Sequence, residues 1–137
     1  MATLKLEIVT PEMLAYSDDV DSVVLPALEG EIGVLPMHIP LMTMIKPGEL
    51  VVKKGNEQKY LAVGEGFVTV SQTSVKVLTD MAVEWESIDE NAAEEAVKRA
   101  QAAIAGKHEL AGEEAAAVHA ALAKSLAQLN VKRRRRG

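Results

Sequence analysis

Cysteine is absent from the 137 residues, which excludes disulfides, thiolate catalysis and cysteine-based metal sites. Aromatic residues make up only 3% of the chain, so Val, Leu, Ile, Met and Ala must build the core. No apolar run approaches the ~20 residues that would span a bilayer. The opening "MATLKLEIVT" alternates apolar with polar residues and carries Glu7, so it lacks the unbroken apolar centre of a signal peptide. These absences lead to the expectation of a soluble intracellular protein, attached to a larger body and not itself inserted in a membrane.

Catalytic constellations are missing too. His38, His108 and His119 are scattered, and the last two do not have the i, i+4 spacing of a helical metal pair. "SDDVDS" at 17–22 reads as a solvated loop without the glycine and terminal glutamate of a calcium loop. "GEG" at 64–66 lacks the lysine and hydroxyl residue of a phosphate loop. The expectation is a protein with no catalytic residue, metal or cofactor of its own.

Charge is divided along the chain. Residues 1–89 hold six lysines, fourteen acids and no arginine. Residues 90–137 hold nine basic and six acidic residues, and five of the nine form the tail "KRRRR". Two chemistries in one chain point to two modules.

The first module reads as β. "TLKLEIV" sets Leu4, Leu6 and Ile8 on one face and Thr3, Lys5 and Glu7 on the other, the period of a half-buried strand. "SVVLP", "LMTMI", "ELVVKK", "QKYLAV", "FVTVS" and "VKVLT" follow, separated by turn signals. Gly55-Asn56 fits a two-residue hairpin turn. This spacing predicts a β-sandwich or flattened barrel of about ten short strands over residues 1–86.

The period changes near Ser87. "SIDE" has the capping-box spacing, Ser87 to Glu90, and an alanine-rich segment follows. Ala93, Val97, Ala100 and Ile104 fall on one helical face, with Gly106 a plausible stop. After a loop through "GKHELAG", a second stripe runs through Ala115, Val118, Leu122, Leu126 and Leu129 and ends near Asn130. Residues 87–137 are thus expected to form an antiparallel two-helix hairpin with a basic tail. Few large aliphatics line its stripes, so it should dock loosely and move as a unit.

Two segments leave alternatives open. "GEIGVLPMHIPL", Gly30 to Leu41, carries two prolines that forbid regular pairing, so it is an edge or a loop. It is either a surface shaped for a partner or a blunted edge strand. The tail is either a solvated end or a contact for an acidic protein face, anionic lipid or nucleic acid. Nucleic acid is the weakest of these, because the rest of the chain is acidic and no aromatics are interleaved for base stacking.

The order of "LEIVTPE", "GEIGVLPMHIPLMTMIKPGEL", "YLAVGEGFVTV", "VKVLTDMA" and "IDENAAEEAVKRA" resembles the epsilon subunit of bacterial F-type ATP synthases. The resemblance covers essentially the whole chain. It implies a non-catalytic rotor subunit on the cytoplasmic face of the inner membrane, coupling proton-driven rotation to ATP synthesis. The implied partners of the sandwich are the gamma subunit and the c-ring. By the same resemblance Glu31 faces the c-ring loops and His38 faces gamma, with Pro40 and Met42 beside them. The hairpin becomes an arm that extends into the catalytic head of alpha and beta subunits and impedes ATP hydrolysis, and Arg133, Arg134, Arg135 and Arg136 would meet an acidic loop there. Some family members bind ATP in the folded hairpin through Ile-Asp-x-x-Arg-Ala. This chain has Asp89 but Ala92 in place of the arginine, with Arg99 two turns on. A stand-alone nucleotide-sensing module is therefore the alternative reading, with Asp89 and Arg99 as its candidate contacts.

Overall fold

The computed structural model describes residues 3–106 and 112–136. Ten strands precede two helices: β1 (Leu4–Val9), β2 (Leu14–Val20), β3 (Ser22–Ala27), β4 (Gly30–Val34), β5 (Leu41–Ile45), β6 (Gly48–Lys54), β7 (Glu57–Val63), β8 (Gly66–Val70), β9 (Ser74–Thr79), β10 (Ala82–Glu84), α1 (Glu90–Gly106) and α2 (Glu113–Arg135). A single 3₁₀ turn, Trp85–Ser87, joins the two parts. The sheet runs β10-β7-β6-β3-β5-β8-β9-β1-β2, with β4 attached to β3. Of these pairings only β1 with β9 is parallel.

The sheet curls into a nearly closed sandwich because its strands alternate. Leu4, Leu6 and Ile8 turn inward and are fully buried, as the period of β1 predicts. They meet Val23, Leu25, Ile45, Leu50, Leu61, Val68, Val75 and Val77 in one aliphatic core. Tyr16 is the single aromatic member of this cluster of buried residues. Gly55 has φ +62, which lets the β6–β7 hairpin close in two residues between Lys54 and Glu57.

Several expectations are corrected. "SDDVDS" is not a loop: Asp18 and Asp19 lie in β2, paired with Leu6 and Lys5 of β1. Tyr16 and Val20 supply the buried positions, Lys54 holds Asp18 at 2.7 Å, and Asp21 accepts the Gly55 N–H. Tertiary pairing thus overrides a poor local strand propensity. A tight turn at Leu28-Glu29 joins β3 to β4, and Gly30 (φ +130) opens β4. The prolines act as expected, since strand structure stops after Val34 and resumes at Leu41.

The cap of α1 also differs. Asp89, not Ser87, accepts the Ala92 N–H at 3.1 Å, while Ser87 belongs to the 3₁₀ turn. α2 does not end near Asn130 but continues through the arginines to Arg135. Arginine is a good helix former, and cations suit a helix C-terminus. The connector expected across "GKHELAG", with His108, lies mostly outside the described residues.

α1 and α2 are antiparallel. Ala93, Val97 and Leu129 bury one another, with Leu122 and Leu126 partly covered. α2 is the helix that lies on β6 and β7. A separate small cluster forms that seam: Ala62, Ile88 and Val131, flanked by Met81, Val83 and Trp85. The sandwich interior contains none of these residues, so two bodies with their own cores meet at a thin apolar joint.

Candidate docking surfaces and the seat of the helical arm

The outer face of the sandwich carries an apolar row written in the strand register. Met44 lies opposite Phe67, Phe67 opposite Leu78, Leu78 opposite Val9, and Val9 opposite Leu14. Five neighbouring strands thus each contribute one apolar side chain to a single line. Phe67 is 51% exposed, and Met44, Leu78 and Leu14 are exposed as well. A row of this kind on a folded surface marks an interaction site. In the sequence "FVTVS" and "VKVLT" read only as strands, and nothing local joins them into this row. Its signal was there: β8 and β9 place Phe67 and Leu78 at the outward positions of the period.

A second exposed apolar group caps the sandwich beside this row. Leu35, Met37 and Ile39 project from the segment between β4 and β5, and Met42 from β5 is 69% exposed. The segment has a defined backbone. Met37 adopts φ +71, uncommon for a residue with a side chain, and its N–H donates to the Gln72 carbonyl at 2.8 Å. His38 donates from Nδ1 to the Ile39 carbonyl at 2.6 Å. Among the residues expected at an interface, His38, Pro40 and Met42 therefore share this cap. Glu31 lies on β4, opposite Pro26, with its side chain exposed.

The third surface is the seat of α2. Glu49 and Ala62 are cross-strand partners on β6 and β7, and Val83 of β10 pairs with Ala62. Leu50 points into the core, so Glu49 points out, toward α2. Its side chain is nevertheless only 6% exposed. Arg135 grips it with two hydrogen bonds, Nε to Oε2 at 2.8 Å and Nη2 to Oε1 at 2.6 Å, and Arg134 donates to Oε1 at 3.1 Å. The Arg135 guanidinium stacks on Tyr60 at 3.7 Å from the ring centre, and the bonds to Glu49 raise its pKa further. Lys132 donates to the Trp85 carbonyl and lies over that ring.

The remaining arginines face α1. Arg133 donates to Glu90 at 3.1 Å and to Glu94 at 3.0 Å, and Arg136 reaches Glu90 at 2.8 Å. All four tail arginines are thus paired within the chain. Charge-assisted bonds of this kind contribute ~1.5–3 kcal/mol when shielded, against ~1.5–3 kcal/mol for each large side chain buried in the seam. The exposed Arg133 and Arg136 pairs contribute much less. Charge and apolar contact therefore hold the arm in comparable shares.

The candidate nucleotide contacts are not brought together. Asp89 caps α1, and Arg99 lies ten residues along the same helix, about 15 Å away at 1.5 Å per residue. Both are exposed, as is Ala92. Among the described residues no group of three or more His, Asp or Glu is arranged to hold a metal ion, and no helix is long and apolar enough to cross a membrane.

A closed sandwich with two apolar docking faces, carrying a helical hairpin on a third, defines a docking module of a larger assembly. The family model for the ATP synthase delta/epsilon chain β-sandwich domain matches residues 3–85. The chain is 46% identical to the ATP synthase epsilon chain of Dehalococcoides mccartyi, over 99% of this chain and 96% of that one. It is 40% identical to the ATP synthase epsilon chain of Alkalilimnicola ehrlichii over the same shares. The chain belongs to the ATP synthase epsilon chain family. Its fold also matches a chain in the structure of the Euglena gracilis mitochondrial ATP synthase, with TM-score 0.77 at 23% identity, covering 95% of this chain and 81% of that one.

Proposed function

We propose that this chain is a non-catalytic central-stalk subunit of an F-type ATP synthase, held at the cytoplasmic face of the inner membrane through its partners. Residues 1–86 form the platform that binds the stalk, and residues 87–137 form a regulatory arm. The observation that carries this reading is the division of the interior into a sealed sandwich core and a thin seam under α2. A unit joined this way can leave its seat without opening the platform.

The row from Met44 to Leu14 is the surface for the gamma subunit, and it extends to the cap that holds His38, Pro40 and Met42. Glu31, exposed on an edge strand, faces the polar loops of the c-ring. The lifted arm carries Arg133 to Arg136 into the catalytic head, where an acidic loop of the beta subunit is their counterpart. There it impedes ATP hydrolysis, and the seated arm permits it.

Co-purification with the gamma subunit tests the platform. Phe67→Asp places a charge at the centre of the apolar row without touching the core, because Phe67 points outward. Gamma binding should fall at least a hundredfold while the thermal midpoint of the isolated chain stays within a few degrees. Retention of gamma by this variant would remove the row from the interface.

A further inference from the structure

The four tail arginines are divided between two different neighbours. Successive helical residues are about 100° apart, so 133 and 136 share one side of α2 while 134 and 135 share another. Arg134 and Arg135 bind Glu49 of the sandwich. Arg133 and Arg136 bind Glu90 and Glu94 of α1. A run that looks uniform in the sequence is therefore two clasps.

We propose that Glu49, with Tyr60 and Ala62, forms a seat for the Arg134–Arg135 pair that controls docking of the arm, while Glu90 and Glu94 control the closure of the hairpin. Three observations support the division. Glu49 faces outward from β6, so it is the end of α2 that shields its charge from water. A carboxylate so enclosed needs its partners, and removing them leaves a buried charge. The ring of Tyr60 fixes the Arg135 guanidinium in the plane that matches both carboxylate oxygens. On the other side, Glu90 and Glu94 remain partly exposed; their bonds to Arg133 and Arg136 run between the helices, and Glu94 also pairs with Lys98 on its own helix.

The proposal rests on the reading of the hairpin as a movable arm and adds its control. The arm leaves the platform as an intact pair when the Glu49 seat empties, and it splays on the platform when the Glu90 clasp opens. Any acidic surface that draws Arg134 and Arg135 away competes with Glu49 directly, so undocking and capture by a partner are one exchange of ligands.

The chain has no cysteine, so introduced pairs can carry spin labels without background. One pair, at Asn56 and Ala121, reports the distance from sandwich to α2. A second pair, at Ala102 and Ala121, reports the distance from α1 to α2. All three labelled positions, Asn56, Ala102 and Ala121, are exposed. In the full chain, Glu49→Gln should raise the ratio of undocked to docked populations about tenfold at the first pair and leave the second unchanged. Glu90→Gln with Glu94→Gln should do the reverse. Arg134→Gln with Arg135→Gln, placed at the helix end where it cannot unfold the sandwich, should match Glu49→Gln, and combining them should add nothing. No response at the first pair to the arginine variant, equal responses at both pairs, or additivity would overturn the proposal. If the distances respond as expected but ATP hydrolysis by a complete complex carrying Glu49→Gln is unchanged, the two clasps stand and the regulatory role of the arm falls.

Discussion

Asp89 and Ser87 compete for one job, and a single oxygen decides between them. The capping-box spacing favours Ser87, but the chain spends residues 85–87 on a 3₁₀ turn and begins α1 after Asp89. Asp89 then accepts the Ala92 N–H, and Glu90 is released from any capping duty to bind Arg133 and Arg136. Asp89→Ala should therefore destabilise the hairpin by about 1 kcal/mol, and Ser87→Ala should leave it within a few tenths. Native-state hydrogen exchange of α1 amides checks both, and the opposite ranking would restore Ser87 as the cap. Residue identity alone could not separate these outcomes, because both residues are good caps and they stand two positions apart. Glu49 illustrates the same limit. Its partners lie 85 and 86 residues away, and no local pattern marks an outward strand position as the seat of a helix.

At the scale of elements, alternation was the legible signal. Strands β1, β8 and β9 follow their apolar periods closely, since one face of each must enter the core. By contrast, β5 buries only Ile45, and β7 buries Leu61, Ala62 and Val63 in succession because the arm's seam covers Ala62 from outside. β2 is hidden because acids interrupt both of its faces. Asp18 lies between Tyr16 and Val20 on the core side, where Lys54 holds it, and Asp19 points outward, so its stability as a strand comes from β1 and Lys54. The last turns of α2 were hidden for a related reason: a run of arginines reads as solvated until its carboxylate partners are in view. One of those carboxylates, Glu94, gives the hairpin a pH dependence. A hydrogen bond from Lys98, helped by the charge and bond of Arg133, holds the Glu94 carboxyl below its ordinary value. A lowered folded-state value means that ionised Glu94 stabilises the hairpin fully above the ordinary glutamate range, and that this contribution is lost as pH falls through the lowered value. Exchange of α1 and α2 amides should therefore accelerate on acidification through that window, relative to the sandwich core. Glu94→Gln should flatten this dependence, and an unchanged acid profile in that variant would remove Glu94 as its source.

The whole molecule is organised by where the interiors stop. The main core draws on strands β1 to β9, and Ala82 at the start of β10 is its last contact in the sequence. Nothing from either helix enters it. The helices in turn pack Ala93, Val97 and Leu129 together, and the other buried residues they hold away from the seam are the small Ala100 and Ala127. A chain cut after Ile88 should then fold with the full sandwich, losing the cover over Glu49 and Tyr60 and over the seam residues Ala62, Ile88, Met81, Val83 and Trp85. Its stability should lie within about 1–2 kcal/mol of the intact protein, because surface losses of this kind are small beside a core deletion such as Leu6→Ala at ~2–5 kcal/mol. Residues 87–137 alone should be mostly unfolded, since short helices without a packing surface are marginal in water. Denaturant unfolding of the first fragment and far-ultraviolet circular dichroism of the second measure both halves of the claim. A sandwich that unfolds when the arm is cut would mean that the seam carries far more than Ala62, Ile88 and Val131 can supply. The arm would then be a structural brace, and lifting it from its seat would unfold the platform it is meant to control.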